Sequence, residues 1–375
     1  MNREFEEFVK LMHDTAIANN MLANGTFTLT SRCNLHCKMC YICNPHIEKE
    51  ELSGEQWLDV MKQARDLGMA FCLITGGEPL LHKDFWEIYT GLKKLGVYIT
   101  INTNGTMITP EVADRFAKSP PLSIQISIYG SSPEAYKRVT GSASAYEKTM
   151  RGIKLLQERG FEVKLRTLLT KETAPDIENI VRLILSFGVP IEYSNYIMPV
   201  IDENGNDYKA QRLNAKEVAK YTEIIKNVIK DYYDVHGNPH EEAMREAHER
   251  LSAKPVDPKR DELTKRVAEI KGNTAFACSA GISSFCMSYD GFIHPCIIAV
   301  EPIFDLKKMN MNLKEGLEKL KEGVLRIKPI PECVGCPDKK DCMVCPALHY
   351  NETGRWDKQA EYMCEYVRAG VKLIE

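Results

Sequence analysis

The sequence predicts an α/β protein with a parallel sheet or a (β/α) barrel, followed by a small cysteine-rich domain. Between residues 25 and 207, short apolar or alternating segments typical of strands alternate with segments of helical period. Ten of the 13 cysteines form two groups, one directly after the first predicted strand and one near the C-terminal end. A chain of 375 residues also exceeds one ordinary core, so more than one domain is expected.

The predicted elements follow one another in a regular order. Residues 5–22 have the pattern of an amphipathic helix. The predicted strands are 26–30, 71–75, 97–102, 122–128, 161–169 and 191–197. The predicted helices between them are 85–95, 110–118, 146–159 and 175–187. In folds built from such βα units, the chemistry collects at the carboxyl ends of the strands.

Four regions follow from this pattern. The region 208–274 is highly charged and largely helical, and from 275 onward aliphatic periodicity weakens while Cys, Gly and Pro become frequent. A domain with so little apolar core needs metal to stabilise it. The expected regions are an N-terminal helix (1–24), a barrel (25–207), a helical connector (208–274) and a cysteine-rich domain (275–375).

Charge and hydropathy exclude several classes of protein. The net charge of −3 gives no reason to expect a nucleic-acid partner. No apolar run approaches the roughly 20 residues of a membrane span, and the acidic N-terminus lacks a signal peptide. We therefore expect a cytoplasmic protein, in which tight cysteine groups bind metal rather than form disulfides.

The first cysteine group is Cys33-x3-Cys37-x2-Cys40, directly after a predicted strand. Three thiolates on one loop can hold three irons of a [4Fe–4S] cube and leave the fourth iron open to another ligand. The alternative is a zinc ion completed by a fourth side chain. The candidates for that fourth ligand are His36, His46 and Cys43.

The spacing of this group resembles the defining motif of the radical S-adenosylmethionine (SAM) family, although Met39 stands where the family often has an aromatic residue. The turn Gly76-Gly77-Glu78-Pro79, one βα unit later, resembles the family's glycine-rich turn. The resemblance implies a partial (β/α)6 barrel and a [4Fe–4S] cluster that binds SAM. It also implies that this turn contacts the SAM amino group, since glycines let backbone carbonyls approach closely and Glu78 supplies negative charge.

Further polar residues follow the later strands. The resemblance implies SAM ribose contacts from Asn104 or Ser127 and a carboxylate contact from Arg166. The alternatives are an ordinary turn, a polar strand residue and a surface arginine. Asp290, Glu192 and Tyr193 are guesses for a catalytic base, and the sequence does not choose among them.

The second cysteine group resembles the SPASM domain, a C-terminal extension of some radical SAM enzymes that binds auxiliary [4Fe–4S] clusters. Its seven cysteines are Cys278, Cys296, Cys333, Cys336, Cys342, Cys345 and Cys364. The spacing before Cys345 is one residue shorter than usual. Structural zinc is the alternative for the whole group, because paired CxxC units also bind zinc.

The resemblance also implies how these cysteines divide. One auxiliary cluster would be bound by Cys278, Cys296 and Cys345, completed by Cys286 or by substrate. The other would be bound by four cysteines, namely Cys333, Cys336, Cys342 and Cys364. Cys286 is otherwise a buried strand thiol, Cys72 a core thiol, and Cys43 a loop thiol near the first group.

The implied function is reductive cleavage of SAM to a 5′-deoxyadenosyl radical that abstracts hydrogen from a peptide, and the expected peptide is a ribosomally made precursor. Only about 25 residues precede the first strand, so we expect that a leader peptide binds elsewhere, that a separate leader-peptide-binding protein delivers it, or that the substrate is small. An electron donor such as ferredoxin or flavodoxin is also implied. Formylglycine formation on sulfatases ranks lower, because Ile297 stands where those maturases carry Asp. A non-catalytic iron–sulfur or zinc scaffold is the other alternative.

Overall fold

The computed structural model describes residues 3–42, 51–200, 207–238, 245, 258–340, 342 and 344–371. The strands are β1 Asn24–Thr28, β2 Phe71–Thr75, β3 Tyr98–Thr103, β4 Ser123–Ser127, β5 Val163–Leu168, β6 Ile191–Ser194, β7 Ser284–Met287, β8 Phe292–His294 and β9 Phe304–Asp305. The helices before β7 are α1 Arg3–Ala18, α2 Gly54–Asp66, α3 Phe85–Lys94, α4 Pro110–Lys118, α5 Pro133–Thr140, α6 Ser144–Gln157, α7 Ile177–Ser186, α8 Ala215–His236 and α9 Pro258–Gly272. The later helices are α10 Leu313–Arg326, α11 Pro331–Val334, α12 Pro346–Thr353 and α13 Glu361–Arg368.

The described strands form one sheet in the order β6-β5-β4-β3-β2-β1-β7-β8-β9. All pairs from β6 to β7 are parallel, while β8 and β9 add antiparallel strands at the edge. The predicted α/β class and the partial barrel of six βα strands are confirmed. Because β1 to β7 run in one direction, their carboxyl ends form a single edge.

The two faces of the sheet differ in chemistry. Alternate residues such as Phe27, Ile74 and Ile101 are fully or almost fully buried in the main apolar core. The residues between them, including Thr26, Thr100 and Gln125, line a cavity of about 370 Å³ on the other face. Period-two alternation thus gives the sheet one aliphatic face and a second, more polar face, on which hydroxyls and amides lie beside apolar residues such as Leu73.

Two helices of the barrel region were not predicted. Helix α2 follows the cysteine loop and buries Trp57, and it begins with a capping box between Ser53 and Gln56. That pair satisfies two backbone donors of the first turn, so Ser-x-x-Gln before an apolar stripe is a helix-start signal in the sequence. Helix α5 begins with Ser132 as its N-cap, whose side chain accepts from the Ala135 N–H, and with Pro133 in its first turn.

The C-terminal region continues the sheet rather than forming wholly separate layers. Residues Asn24–Phe27 of β1 pair in parallel with residues Ser284–Met287 of β7. Helices α12 and α13 pack against α7 and α8 in a second apolar core that includes Leu213, Met363 and Tyr366. No helix among the described residues is long and apolar enough to cross a membrane.

Candidate active site

The expected site residues meet at the carboxyl edge of the sheet. The cysteine loop follows β1, the glycine turn follows β2, and Asn104 follows β3. Ser127 ends β4 and is the direct cross-strand partner of Arg166 on β5. The topology therefore gathers most of the predicted SAM contacts around the first cysteine group.

The glycine turn holds the start of the cysteine loop. The backbone N–H of Gly77 donates to the carbonyl of Thr30 at 2.8 Å, and that of Glu78 donates to the carbonyl of Arg32 at 2.8 Å. A Cβ on Gly77 would lie 2.3 Å from the Arg32 carbonyl oxygen. Gly76 has φ of 152°, and a Cβ there would lie 2.7 Å from the Thr30 carbonyl oxygen. Both glycines are required because the two backbones touch.

The Glu78 carboxylate is fully buried and points into the protein. The Thr103 hydroxyl lies 2.8 Å from its Oε1, the Asn104 N–H donates to its Oε2 at 2.8 Å, and the Leu80 N–H donates to Oε1 at 3.2 Å. Burial raises the pKa of Glu78 to about 7, while these hydrogen bonds act in the opposite direction. Glu78 therefore joins the glycine turn to the end of β3.

The side chain of Asn104 lies against the first cysteine group. Its Nδ2 lies 3.7 Å from the Sγ of Cys33 and 2.9 Å from the Oδ1 of Asn34. Its Oδ1 accepts from the backbone N–H of Thr106 at 2.9 Å and from its hydroxyl at 2.6 Å. The amide is thus engaged by the protein on both sides and lies beside a predicted iron ligand.

A tyrosine beside the cysteine loop was missed at the sequence level. Tyr129 packs against Cys37. Burial raises the pKa of Cys37, and the hydrogen bond from Tyr129 opposes that effect. The sequence contained a signal for this position. Tyr129 follows Ser127, the last residue of β4, by two residues, and residues just after a strand are expected at the carboxyl edge of the sheet. Met39 is buried in the same place, where it fills the position expected to be aromatic.

Arg166 belongs to a charged group on the polar face of the sheet. Its guanidinium lies 2.7 Å from Glu192, which also lies 3.2 Å from the Nζ of Lys164. Burial raises the pKa of Glu192, but the hydrogen bond from Arg166 and the charge of Lys164 outweigh this effect and hold the pKa below its usual value. Glu192 is therefore paired and ionised. Of the other candidate bases, Tyr193 is buried in the second core and Asp290 accepts from Ser288.

The C-terminal cysteines fall into two spatial sets. Burial is the main cause that raises the pKa of Cys345, and the charges of Cys278 and Cys296 raise it further. These two thiols therefore lie near Cys345. Burial is also the main cause that raises the pKa of Cys333, and three neighbouring thiols, those of Cys364, Cys342 and Cys336, raise it further. These are the two sets that the resemblance implied, and all seven thiols are free.

Backbone N–H donors point at two of these sulfurs. The N–H of Ala299 donates to Cys296 at 3.2 Å, and that of Ala347 donates to Cys345 at 3.4 Å. Cys345 is also the N-cap of α12. Donors of this kind favour the thiolate form and therefore suit a metal ligand.

The remaining cysteines have different surroundings. Cys72 is buried in the main core, and burial raises its pKa far above the usual range. Cys286 is fully buried on β7, and its pKa is raised by burial first and by the nearby Cys296 second. Cys43 and His46 lie outside the described residues.

The cysteine thiols fit iron–sulfur clusters in number and grouping. Among the described residues, Cys33, Cys37 and Cys40 form no disulfide, and burial followed by the charges of Cys40 and Cys33 raises the pKa of Cys37. Within the described ranges, no three His, Cys, Asp or Glu side chains lie close enough to hold one metal ion. A tetrahedral zinc ion needs all its thiolates about 2.3 Å from one point, whereas a cube places them at separate corners.

Comparison with known proteins agrees with this arrangement. Residues 27–184 match the Radical SAM superfamily. The mycofactocin maturase MftC of Mycolicibacterium smegmatis is 30% identical over 167 residues, which are 44% of this chain and 42% of that protein. This chain therefore matches less than half of that relative's length. The AdoMet-dependent heme synthase of Nitratidesulfovibrio vulgaris is 24% identical over 94% of this chain and 97% of that protein.

Solved structures share the fold. The SAM-bound structure of SuiB from Streptococcus suis has a TM-score of 0.67 at 16% identity, over 92% of this chain and 77% of that one. The structure of anSMEcpe with AdoMet and a peptide has a TM-score of 0.62 at 18% identity, over 93% and 95%. The strand ends that carry Cys33 to Arg166 all lie within the matched superfamily region.

Proposed function

We propose that this chain, whose residues 27–184 form a radical SAM domain, is an enzyme that cleaves SAM reductively and abstracts hydrogen from a peptide substrate. The observation that carries the proposal is the contact between the cysteine loop and the Gly76–Pro79 turn at the carboxyl edge of the sheet. When bound, a reduced [4Fe–4S] cluster supplies one electron to SAM, and the resulting 5′-deoxyadenosyl radical abstracts hydrogen.

The residues of this chain divide the remaining work. Cys33, Cys37 and Cys40 would hold the catalytic cluster and leave one iron open. The glycine turn and Glu78 keep the cysteine loop in place. Arg166 is the candidate cation for the SAM carboxylate, because its side chain lies next to Ser127 across two strands and is about half exposed.

The seven C-terminal cysteines would hold two auxiliary clusters. Their division into Cys278, Cys296 and Cys345 on one side, and Cys333, Cys336, Cys342 and Cys364 on the other, is supported by their mutual proximity. Three protein ligands leave the first auxiliary cluster an open position, for Cys286 or for a substrate group. An auxiliary cluster with an open iron can bind a peptide directly.

The peptide substrate is supported by relatives and neighbours in fold. MftC is a maturase, and SuiB has been solved with its precursor peptide SuiA. We propose a ribosomally made precursor peptide as substrate. We also propose a cytoplasmic location, ferredoxin or flavodoxin as electron donor, and a separate protein that binds the leader peptide.

A second candidate is heme synthesis, favoured by one observation. The AdoMet-dependent heme synthase of Nitratidesulfovibrio vulgaris aligns over 97% of its length, whereas the maturase aligns over 42% of its own. Both candidates use the same SAM site. They differ in what occupies the polar face of the sheet, which is lined by Thr26, Thr100 and Gln125.

The test of the proposal uses anaerobically reconstituted protein with SAM and a chemical reductant. We expect 5′-deoxyadenosine, and we expect none when Cys33, Cys37 and Cys40 are all replaced by Ala. Adding a candidate precursor peptide should give a peptide of altered mass, whereas adding a heme precursor should give heme if the second candidate holds. A wild-type protein that forms no 5′-deoxyadenosine would leave only the scaffold alternative.

A further inference from the structure

One buried ion pair joins the mouth of the barrel to the cysteine-rich region. Arg212 and Glu352 have side chains that are 7% and 8% exposed. The guanidinium makes two parallel hydrogen bonds to the carboxylate, Nη1 to Oε2 at 2.8 Å and Nη2 to Oε1 at 2.7 Å. A bidentate, nearly dry pair of this kind is the strong form of an arginine–carboxylate contact.

The pair has further partners on both sides. The Nε of Arg212 donates to the carbonyl of Ile197 at 2.9 Å, and the Tyr196 hydroxyl donates to Glu352 at 3.2 Å. The guanidinium carbon lies 4.6 Å from the ring centroid of Tyr362. All charge on the pair is therefore compensated within the protein, as burial of two ions requires.

These partners belong to the segments that carry the auxiliary ligands. Glu352 is on α12, whose N-cap is Cys345. Tyr362 is on α13, two residues before Cys364. One guanidinium thus contacts the helix that follows a ligand of the first auxiliary set and the helix that contains a ligand of the second.

The opposite side of the pair reaches the catalytic loop. Ile197, whose carbonyl accepts from Arg212, lies just after β6 and is 2% exposed. It shares a small apolar cluster with Met39, and Cys37 and Tyr129 pack against that cluster. A continuous line of contacts therefore runs from the loop of Cys37, through Ile197 and Arg212, to α12 and α13.

We infer that Arg212 is a positioning residue that fixes both auxiliary cysteine sets relative to the catalytic cysteine loop. This inference rests on the proposed function for the clusters themselves. Lysine cannot reproduce the contact, since a single ammonium lacks the fork that reaches the carboxylate and the Ile197 carbonyl together. The role of the pair is therefore to keep the catalytic and auxiliary ligand sets in one geometry.

The test compares reconstituted holoprotein of the wild type with Arg212→Lys and Glu352→Gln. Hydrogen exchange is measured at two amides of the catalytic loop, that of Lys38, which donates to the carbonyl of Val139 on α5, and that of Cys40, which donates to the carbonyl of Cys37. The magnetic interaction between the reduced catalytic and auxiliary clusters is measured by electron paramagnetic resonance. The control is Arg182→Lys, which changes an exposed pair with Glu178 on α7.

In both test variants we expect exchange at these two amides to rise about tenfold, as local opening becomes easier, together with a weaker magnetic interaction. The control should match the wild type. A purely local role would lower thermal stability but leave both readouts at wild-type values in protein of full iron content. That result would overturn the inference.

A double variant covers the case in which breaking the pair prevents folding. Arg212→Met with Glu352→Leu replaces two buried ions by apolar side chains, an exchange that proteins often tolerate. It removes the contact with the Ile197 carbonyl, so the inference predicts the same faster exchange at Lys38. Wild-type exchange and magnetic interaction in the double variant would count against it. Absence of 5′-deoxyadenosine from the wild type would instead contradict the proposed function. The exchange rates of the variants could still be compared with those of the wild type.

Discussion

Glu78 shows at the scale of one residue how the site is held together. The resemblance implied that the Gly76–Pro79 turn contacts the SAM amino group and that Glu78 supplies negative charge. In the structure the Glu78 carboxylate accepts from three donors, on Thr103, Asn104 and Leu80. An amino-acid pattern identifies a residue type at a strand end and does not give the direction of its side chain. Only the packing of the neighbouring turn decides that direction.

Replacing Glu78 by Ala should therefore destabilise the protein and weaken SAM binding. Three buried donors would lose their acceptor, and each unsatisfied group costs about 1–3 kcal/mol. Chemical denaturation and SAM titration measure the two effects. Glu87→Ala on the exposed side of α3 is the matched control. Unchanged stability and SAM affinity in Glu78→Ala would contradict the role as a buried link.

Asn104 offers a second prediction at this scale. Its amide lies 3.7 Å from the Cys33 sulfur, and hydrogen bonds to sulfur are one determinant of the reduction potential of a cluster. Such a donor stabilises the more negative, reduced state, so Asn104→Ala should lower the midpoint potential of the catalytic cluster. This potential is measured by a redox titration that follows the spectroscopic signal of the catalytic cluster, which is the signal that changes when SAM is added. Asn179→Ala, on the exposed side of α7, should leave it unchanged, and an unshifted Asn104→Ala would argue against the contact.

At the scale of secondary-structure elements, the sequence predicted those bounds that are set by local residue patterns. The strand Phe71–Thr75 and the helix Pro110–Lys118 have the predicted bounds, because an apolar run and an N-terminal proline mark them directly. The pairing of β7 with β1 was not predictable in the same way. Its partner lies some 260 positions away, and no local pattern specifies a contact at such a separation.

The glycine turn carries the prediction that belongs to this scale. Gly77→Ala would place a Cβ 2.3 Å from the Arg32 carbonyl, and this carbonyl cannot move without displacing the start of the cysteine loop. We expect the variant to lose iron from the catalytic site and to lose SAM cleavage, measured after anaerobic reconstitution. Gly272→Ala, where a Cβ meets no atom within 4 Å, is the control. Full iron content in Gly77→Ala would show that the turn does not support the loop.

At the scale of the whole molecule, three groups of thiols lie on one continuous framework. The catalytic loop follows β1, and β7 extends the same sheet on the other side of β1. The Cys278, Cys296 and Cys345 set adjoins this extension, and α12 and α13 pack on α7 and α8. The resemblance implied the two auxiliary sets, and they remain a prediction, while the buried Arg212–Glu352 contact could be found only in the structure.

The iron and sulfide content per chain tests this account most directly. It is measured after anaerobic reconstitution of the wild type and of the Cys33/Cys37/Cys40→Ala variant. Three [4Fe–4S] clusters predict about 12 irons in the wild type and about 8 in the variant. About 4 irons in the wild type and none in the variant, with zinc present, would contradict the auxiliary clusters. Equal iron in both proteins would contradict the catalytic site itself.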